Sequence, residues 1–308
     1  MIVVSGEALM DVFDAGTTPH GQALDARIGG SPLNVAIGLA RLAQPVAFFG
    51  GIGRGFLGQR LLRALAVEGV DLQCVRQLDA PTTLSLVGLD SHGVADYAFY
   101  GAGAADRALT LADLAVVPQG AAAYHFGSYA MVVQPVGATY RALVDREWQR
   151  SVVAHDVNVR TQVQGDLAVW RDSVDFMAAR SALLKLSDED FERLYPGAAP
   201  QALAERWLAG GVSLVVMTRG DAGAWAWTAC GRLDVAPVAV DLVDTVGAGD
   251  TFQAAMLAAL AERGQLSREG LAALTPDVLG AVTAFAARAA ALTCSRRGAD
   301  LPRRAELG

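Results

Sequence analysis

Asp244-Thr-Val-Gly-Ala-Gly-Asp-Thr-Phe252 stands between two stretches of opposite habit. Residues 233–243 are apolar and Val-rich and read as a strand, whereas residues 253–263 are rich in Ala and Leu and read as a helix. A glycine turn at a strand-to-helix handover has a definite chemistry. The first-turn amides of a helix lack intrahelical partners, and the helix dipole adds partial positive charge there. Gly247, Ala248 and Gly249 let an anion such as a phosphate come close to those amides. Asp250 follows at the helix start. A carboxylate there repels a resting phosphate but suits a general base that takes a proton from a hydroxyl attacking the phosphate. The competing reading is a helix cap. This stretch alone leaves both open.

Two better-known glycine loops are excluded. A dinucleotide fingerprint needs a third glycine at position 252, which is Phe252, so a nicotinamide dehydrogenase is disfavoured. A Walker A loop needs Gly-Lys-Ser/Thr, and the only lysine in the chain is Lys185.

The 308 residues, 53% hydrophobic, suffice for a large core. A net charge of −7 argues against a nucleic-acid partner and requires any phosphate site to be built locally, from amides and a few arginines. Cys74, Cys230 and Cys294 are scattered and fit neither a disulfide framework nor a zinc site, which points to a reducing cytoplasm. Met1–Val4 has no basic signal-peptide region. No apolar run reaches the ~18 residues of a membrane span, the best candidate being interrupted by Asp277 and Arg288. The expectation is a cytoplasmic protein with small-molecule partners and no membrane.

Outward from the glycine turn, other strand ends carry polar groups. Residues 2–5 form a short apolar strand that runs into Gly6-Glu-Ala-Leu-Met-Asp11, where Asp11 is placed to bind a hydroxyl or to lie in a surface turn. Gly29-Gly30-Ser-Pro-Leu-Asn34 precedes helical spacing over 35–42, so backbone can approach a ligand and Asn34 can cap or bind a polyol. Residues 45–52 read as strand and 58–68 as amphipathic helix. Residues 82–90 and 96–100 alternate around Ser91-His-Gly93 and read as a hairpin, with Tyr97, Phe99 and Tyr100 as an apolar face for a ligand or an oligomer contact. From residue 121 strands (122–126, 152–156, 182–186, 214–218) alternate with helices (136–149, 168–179, 200–208), the pattern of a parallel sheet covered on both faces. Ligands of such sheets lie at the carboxyl ends of the strands. Asp156-Val-Asn-Val-Arg160, Ser187-Asp-Glu-Asp190 and Thr218-Arg-Gly-Asp221 fall there. Residues 224–228 and 232–235 read as a further hairpin and 277–292 as a helix.

With these pieces placed, the chain resembles the PfkB, or ribokinase-like, family of carbohydrate kinases. Gly29-Gly-Ser-Pro-Leu-Asn-Val-Ala36 looks like the family's N-terminal signature, and residues 244–252 look like its more specific C-terminal one. Together with Lys185-Leu-Ser-Asp-Glu189 and Cys294-Ser-Arg-Arg-Gly-Ala299, they look most like the fructokinases. The resemblance runs end to end. It implies an α/β fold, one ribokinase-like domain over 1–308 with lid segments at about 12–28 and 82–103. It also implies ATP-dependent phosphorylation of a sugar's primary hydroxyl, D-fructose to fructose 6-phosphate, with Mg²⁺ and with K⁺ as an optional addition. Other members take 2-keto-3-deoxygluconate, ribose or nucleosides, and a non-catalytic sugar- or nucleotide-sensing module of the same fold is the alternative from another class.

Residue by residue, the resemblance makes Asp250 the base and the amides of Gly247, Ala248 and Gly249 the anion hole. Asp11, Gly29, Gly30, Asn34 and Phe99 would contact the sugar. Arg160 and Lys185 would face the sugar or the phosphates. Thr218, Gly220 and Gly223 would line the nucleotide site. Where ribokinases carry Asn-x-x-Glu near the metal, this chain has Ser187-Asp-Glu-Asp190, and the shorter Asp190 is expected to reach magnesium through water. A homodimer through the lid is the expected assembly.

Overall fold

The structure, a computed structural model, describes the backbone of residues 1–89 and 95–308, and every side chain in them but those at 89 and 95–97. An eight-stranded sheet runs through the centre in the order Gly231–Val235, Ala224–Thr228, Leu214–Thr218, Leu183–Ser187, Val152–Asp156, Ala123–Gly127, Ile2–Ser5, Val46–Phe49. The last six are parallel, and the first two form an antiparallel edge. The central strands are buried on both faces, which explains their nearly unbroken apolar sequences. Successive strand residues serve opposite layers. Ile2 and Val4 pack with Ala254, Leu257 and Phe285, while Val3 packs with Tyr140 and Leu143.

The Ala-rich helices Ala248–Glu262 and Pro276–Cys294 pack together on one face, where small side chains allow close approach. Pro276–Cys294 is 19 residues long and apolar enough to cross a membrane by composition. Leu279, Val282, Phe285, Ala286 and Ala289 are buried in the core, so it is a core helix of this fold.

A second sheet of four strands, Gly21–Gly29, Leu9–Thr18, Leu84–Leu89 and Ala95–Tyr100, stands apart from the first. Its register places Arg27, Asp11, Ser85 and Phe99 in one row. The expected 82–90/96–100 hairpin is present as this antiparallel pair, but its turn, Ser91-His-Gly93, and the Tyr97 side chain lie outside the described residues. Phe99 is part-buried whereas Tyr100 is 63% exposed, so the two do not share an apolar face.

The strand expected over 233–243 is corrected. Gly231–Val235 is strand, but the run from 236 to the glycine turn has no regular structure, and Val238, Val240, Leu242 and Val243 are exposed. Pro237 lacks the amide that a ladder needs. A long loop therefore feeds the helix. Three further differences are smaller. Residues 45–52 split into Val46–Phe49 and Gly51–Gly53, the 35–42 helix begins at Ser31, and the polar run after Ser187 forms the short helix Asp188–Leu194.

Candidate active site

The glycine turn is held from both ends. Asp244 accepts the Val246 amide on Oδ1 (3.0 Å) and the Gly298 amide on Oδ2 (2.8 Å), which ties the loop to the segment after the last long helix. Gly247 takes the left-handed conformation (φ 80°), and a Cβ there would lie 2.6 Å from Ala299 Cβ, so conformation and space both require glycine. Thr251 Oγ1 donates to the Gly247 carbonyl (2.8 Å). The Ala248 amide bonds Thr245 O at 3.2 Å, whereas those of Gly247, Gly249 and Asp250 have no protein acceptor among the described residues. Those three donors are left free at the turn.

Asp250 does not cap its own helix. Its carboxylate reaches across to the helix Ser31–Arg41, where Oδ1 accepts Ser31 Oγ (2.6 Å) and Oδ2 accepts Asn34 Nδ2 (2.8 Å). Both donors belong to the first turn after Gly29-Gly30. Gly30 has φ 104°, and a Cβ on it would lie 2.7 Å from the Glu7 carbonyl oxygen. The diglycine therefore lets helix Ser31–Arg41 start against the end of strand Ile2–Ser5 and face Asp250.

Lys185 lies beside the same loop. Its Nζ donates to Asp156 Oδ2 at 2.6 Å, both groups are buried, and a Cβ on Gly249 would be 3.5 Å from that Nζ. Burial raises the Asp156 pKa to about 6, opposed by Lys185 and reinforced by Asp250 and Asp190. Asp190, in the short helix after Ser187, is buried, accepts the Val159 amide on Oδ1 (3.1 Å) and lies 4.0 Å from Arg193. No group of three or more His, Cys, Asp or Glu side chains forms a metal cage among the described residues. Thr218 ends its strand next to Ser187, and Gly220 (φ 52°) and Gly223 (φ 82°) bracket the turn after it.

Asp11 lies on the other wall, with Oδ2 only 2.1 Å from where a Gly29 Cβ would stand. Burial raises its pKa, opposed by Ser85 and Arg160 and reinforced by the charge of Asp250. Asp11 and Asp250 therefore share one cleft. Arg160 also bears on Glu7 and has one hydrogen bond among the described residues, Nη1 to Val159 O (3.0 Å). The sequence left Arg160 between sugar and phosphate, and the structure places it on the Asp11 and Glu7 side. Phe99 meets Tyr129 edge-on, centroids 6.1 Å apart.

The pfkB family carbohydrate kinase model matches residues 1–305. The chain belongs to that family. This kinase is 38% identical over 279 residues to a fructokinase of Rhizobium leguminosarum bv. trifolii, covering 91% of this chain and 85% of that one. The fructokinase of Xylella fastidiosa, solved with bound ATP, superposes with a TM-score of 0.89 at 25% identity and covers 99% of this chain and 96% of its own. The fructokinase of Vibrio cholerae O395, solved with fructose, ADP and calcium, gives 0.83 at 26% identity, covering 99% of this chain and 97% of its own. A double mutant of that protein, solved with fructose, ADP and potassium, gives 0.85. This chain is thus an ATP-dependent carbohydrate kinase with a ribokinase-like fold.

Sequence reasoning on this kinase overlooked Ser31, Asp156 and Glu7 as parts of the site. Ser31 looked like a helix-start residue, yet its hydroxyl serves a carboxylate 219 positions away. Asp156 was visible only as one polar strand end among several. Glu7 is fully buried with Oε2 unpartnered and a pKa raised to about 8 by burial, an environment that the two-residue step from Ser5 to Glu7 does not announce.

Proposed function

We propose that this kinase is a fructokinase that transfers the γ-phosphoryl group of ATP to the primary 6-hydroxyl of D-fructose. The observation that carries the catalytic part is the Asp250 carboxylate, aimed away from its own helix and held by Ser31 and Asn34 on the opposite wall of the cleft. A capping aspartate would bind its own first-turn amides. The choice of fructose rests on the names of the relatives at 38% and 25–26% identity.

Asp11, the backbone at Gly29 and Gly30, Asn34, Phe99 and Arg160 bind and orient the sugar. Asp250 takes the 6-hydroxyl proton as the oxygen bonds to the γ-phosphorus, and the bond from that phosphorus to the ADP oxygen breaks. The free amides of Gly247, Gly249 and Asp250 hold the charge of the transferring group. Lys185, kept beside Gly249 by Asp156, adds a fixed positive charge. Thr218, Gly220 and Gly223 line the remaining nucleotide phosphates. Asp156 and Asp190 are the carboxylates that would hold a magnesium ion there, through water. When bound, Mg²⁺ neutralises charge on the phosphates. K⁺ dependence belongs to this reading as well.

In the same reading residues 1–308 form one kinase domain. Its small sheet, segments about 12–28 and 82–103, is a lid that excludes water, and it offers Leu24 and Tyr100 (57% and 63% exposed) to a second copy. The protein works in the cytoplasm.

The test is ADP release with ATP, Mg²⁺ and a panel of D-fructose, D-ribose, 2-keto-3-deoxygluconate and adenosine. Fructose with the highest kcat/KM supports the reading. A keto-acid value tenfold above that for fructose replaces the substrate, and no sugar-dependent ADP release replaces the enzyme with a sensing module.

A further inference from the structure

The row from Asp11 through Ser85 to Phe99 does not end at the small sheet. Phe99 meets the Tyr129 ring, and Arg107 lies over that same ring with Cζ 5.1 Å from its centroid. The guanidinium also rests against Gly101. A Cβ there would come within 2.3 Å of Nη2, 2.5 Å of Cζ and 2.6 Å of Nε, so the missing side chain of Gly101 makes the space that Arg107 fills.

The neighbouring acid does not complete this guanidinium. Asp106 Oδ2 is 3.9 Å from Nε, an ion-pair distance but no hydrogen bond. Both Asp106 oxygens are already occupied, Oδ1 by the Thr83 hydroxyl (2.5 Å) and Oδ2 by the Tyr129 hydroxyl (2.8 Å). Nε and Nη2 of Arg107 are buried without a hydrogen-bond partner among the described residues, and the side chain is 17% exposed. The charges of Asp106 and Arg160 both bear on Glu7, and Tyr129 joins Asp106 to the Arg107 guanidinium. Buried donors without acceptors are costly, and in native proteins they mark an absent partner.

We propose that Arg107 is a sugar-selecting residue. Its guanidinium takes up a hydroxyl oxygen at the end of the ketose remote from Asp250, the C1 end when the 6-hydroxyl is phosphorylated. This rests on the fructokinase reading above. The geometry sets the polarity: the charge of Asp250 bears on Asp11, Phe99 lies two strands beyond Asp11, about 10 Å away at ordinary strand spacing, and Arg107 shares the Tyr129 ring with Phe99. A planar fork with idle N–H groups is matched by an acceptor oxygen that the protein itself does not supply.

The test is a cycle of wild type, Arg107→Met and Arg107→Lys against D-fructose and 1-deoxy-D-fructose at saturating ATP. In Arg107→Met the fructose KM should rise about ten- to a hundredfold, with kcat and the ATP KM changed by less than about threefold. Arg107→Lys should recover part of the loss. Removing the 1-hydroxyl should cost the wild type a similar factor and Arg107→Met little more, the non-additivity of a direct contact. A role confined to holding Tyr129 and Asp106 would penalise both sugars equally, and that result, like an unchanged fructose KM, overturns the proposal. Should Arg107→Met fail to fold, Arg107→Lys decides: a penalty on fructose that vanishes with the deoxy sugar supports the contact, and an equal penalty removes it. A wild type that phosphorylates fructose while its Arg107 variants match it sinks this inference alone. A wild type that turns over no ketose sinks the reading beneath it.

Discussion

At the glycine turn, polar groups find partners within a few residues or across one helix pair, as Asp244 does with Val246 and Gly298, and Asp250 with Ser31 and Asn34. Under the small sheet, Glu7 Oε2 and two nitrogens of Arg107 have no partner among the described residues. On the first wall these side chains are held before any ligand arrives, and the backbone amides of Gly247, Gly249 and Asp250 are what it leaves free. The second keeps donors and acceptors in reserve, as a wall that reads the shape of a sugar must. The proposed base and the proposed sugar-selecting guanidinium thus stand on two differently built parts of the molecule.

The sharpest way to break this contrast is Asp250→Asn. Asparagine keeps the shape of Asp250 and one acceptor oxygen toward Ser31 and Asn34 but offers no basic carboxylate. If Asp250 is the base, kcat falls about 10²–10⁴-fold while sugar and ATP still bind and the melting temperature moves little. Retention of more than about a tenth of wild-type kcat would return Asp250 to a structural role.

Lys185→Met probes the same wall through stability. Removing the ammonium leaves Asp156 buried without its 2.6 Å partner. A loss of about 3–5 kcal/mol is expected in urea unfolding, with much of it recovered in Lys185→Met/Asp156→Asn. Equal losses in the single and double variants would mean that the pair is not the source.

Glu7→Gln addresses the other wall. The folded Glu7 pKa, raised by burial from 4.5 to about 8, lies above its unfolded value. Its proton therefore favours folding fully below about pH 4.5, and that contribution is lost as the pH rises through about 8. Over that window wild-type stability should decline by on the order of 3 kcal/mol more than that of Glu7→Gln, which cannot titrate. Parallel melting-temperature curves from pH 5 to 8 would contradict the placement of Glu7.

The smallest expected effect is that of Asp11→Ala. Loss of a carboxylate that binds sugar hydroxyls weakens the sugar by about 1–3 kcal/mol and leaves the ATP KM nearly unchanged. An unchanged sugar KM would remove Asp11 from the cleft wall.

The glycine turn, the diglycine before Asn34 and the alternation of strands and helices were legible because each is a local pattern, set by backbone freedom or side-chain period over a few residues. The expected strand over 233–243 failed for a related reason. Val-rich composition does not distinguish a ladder from an exposed loop, and Pro237 breaks the run. Asp190 was legible as a strand-end acid, but its bond to the Val159 amide depends on the loop after a neighbouring strand, 31 positions away.

The sequence by itself determined the fold class, the glycine turn and the identity of Asp250 as the acid at the helix start, since helix ends and glycine turns act over a single turn of chain. Only the tertiary structure decided what Asp250 binds, on which side of the cleft Arg160 falls, and that Lys185 is locked to Asp156. It alone brought Glu7, Ser85, Asp106, Arg107 and Tyr129 into one buried wall. Electrostatics and hydrogen bonding act through space, and the parallel sheet delivers its strand ends to one edge from positions more than a hundred residues apart.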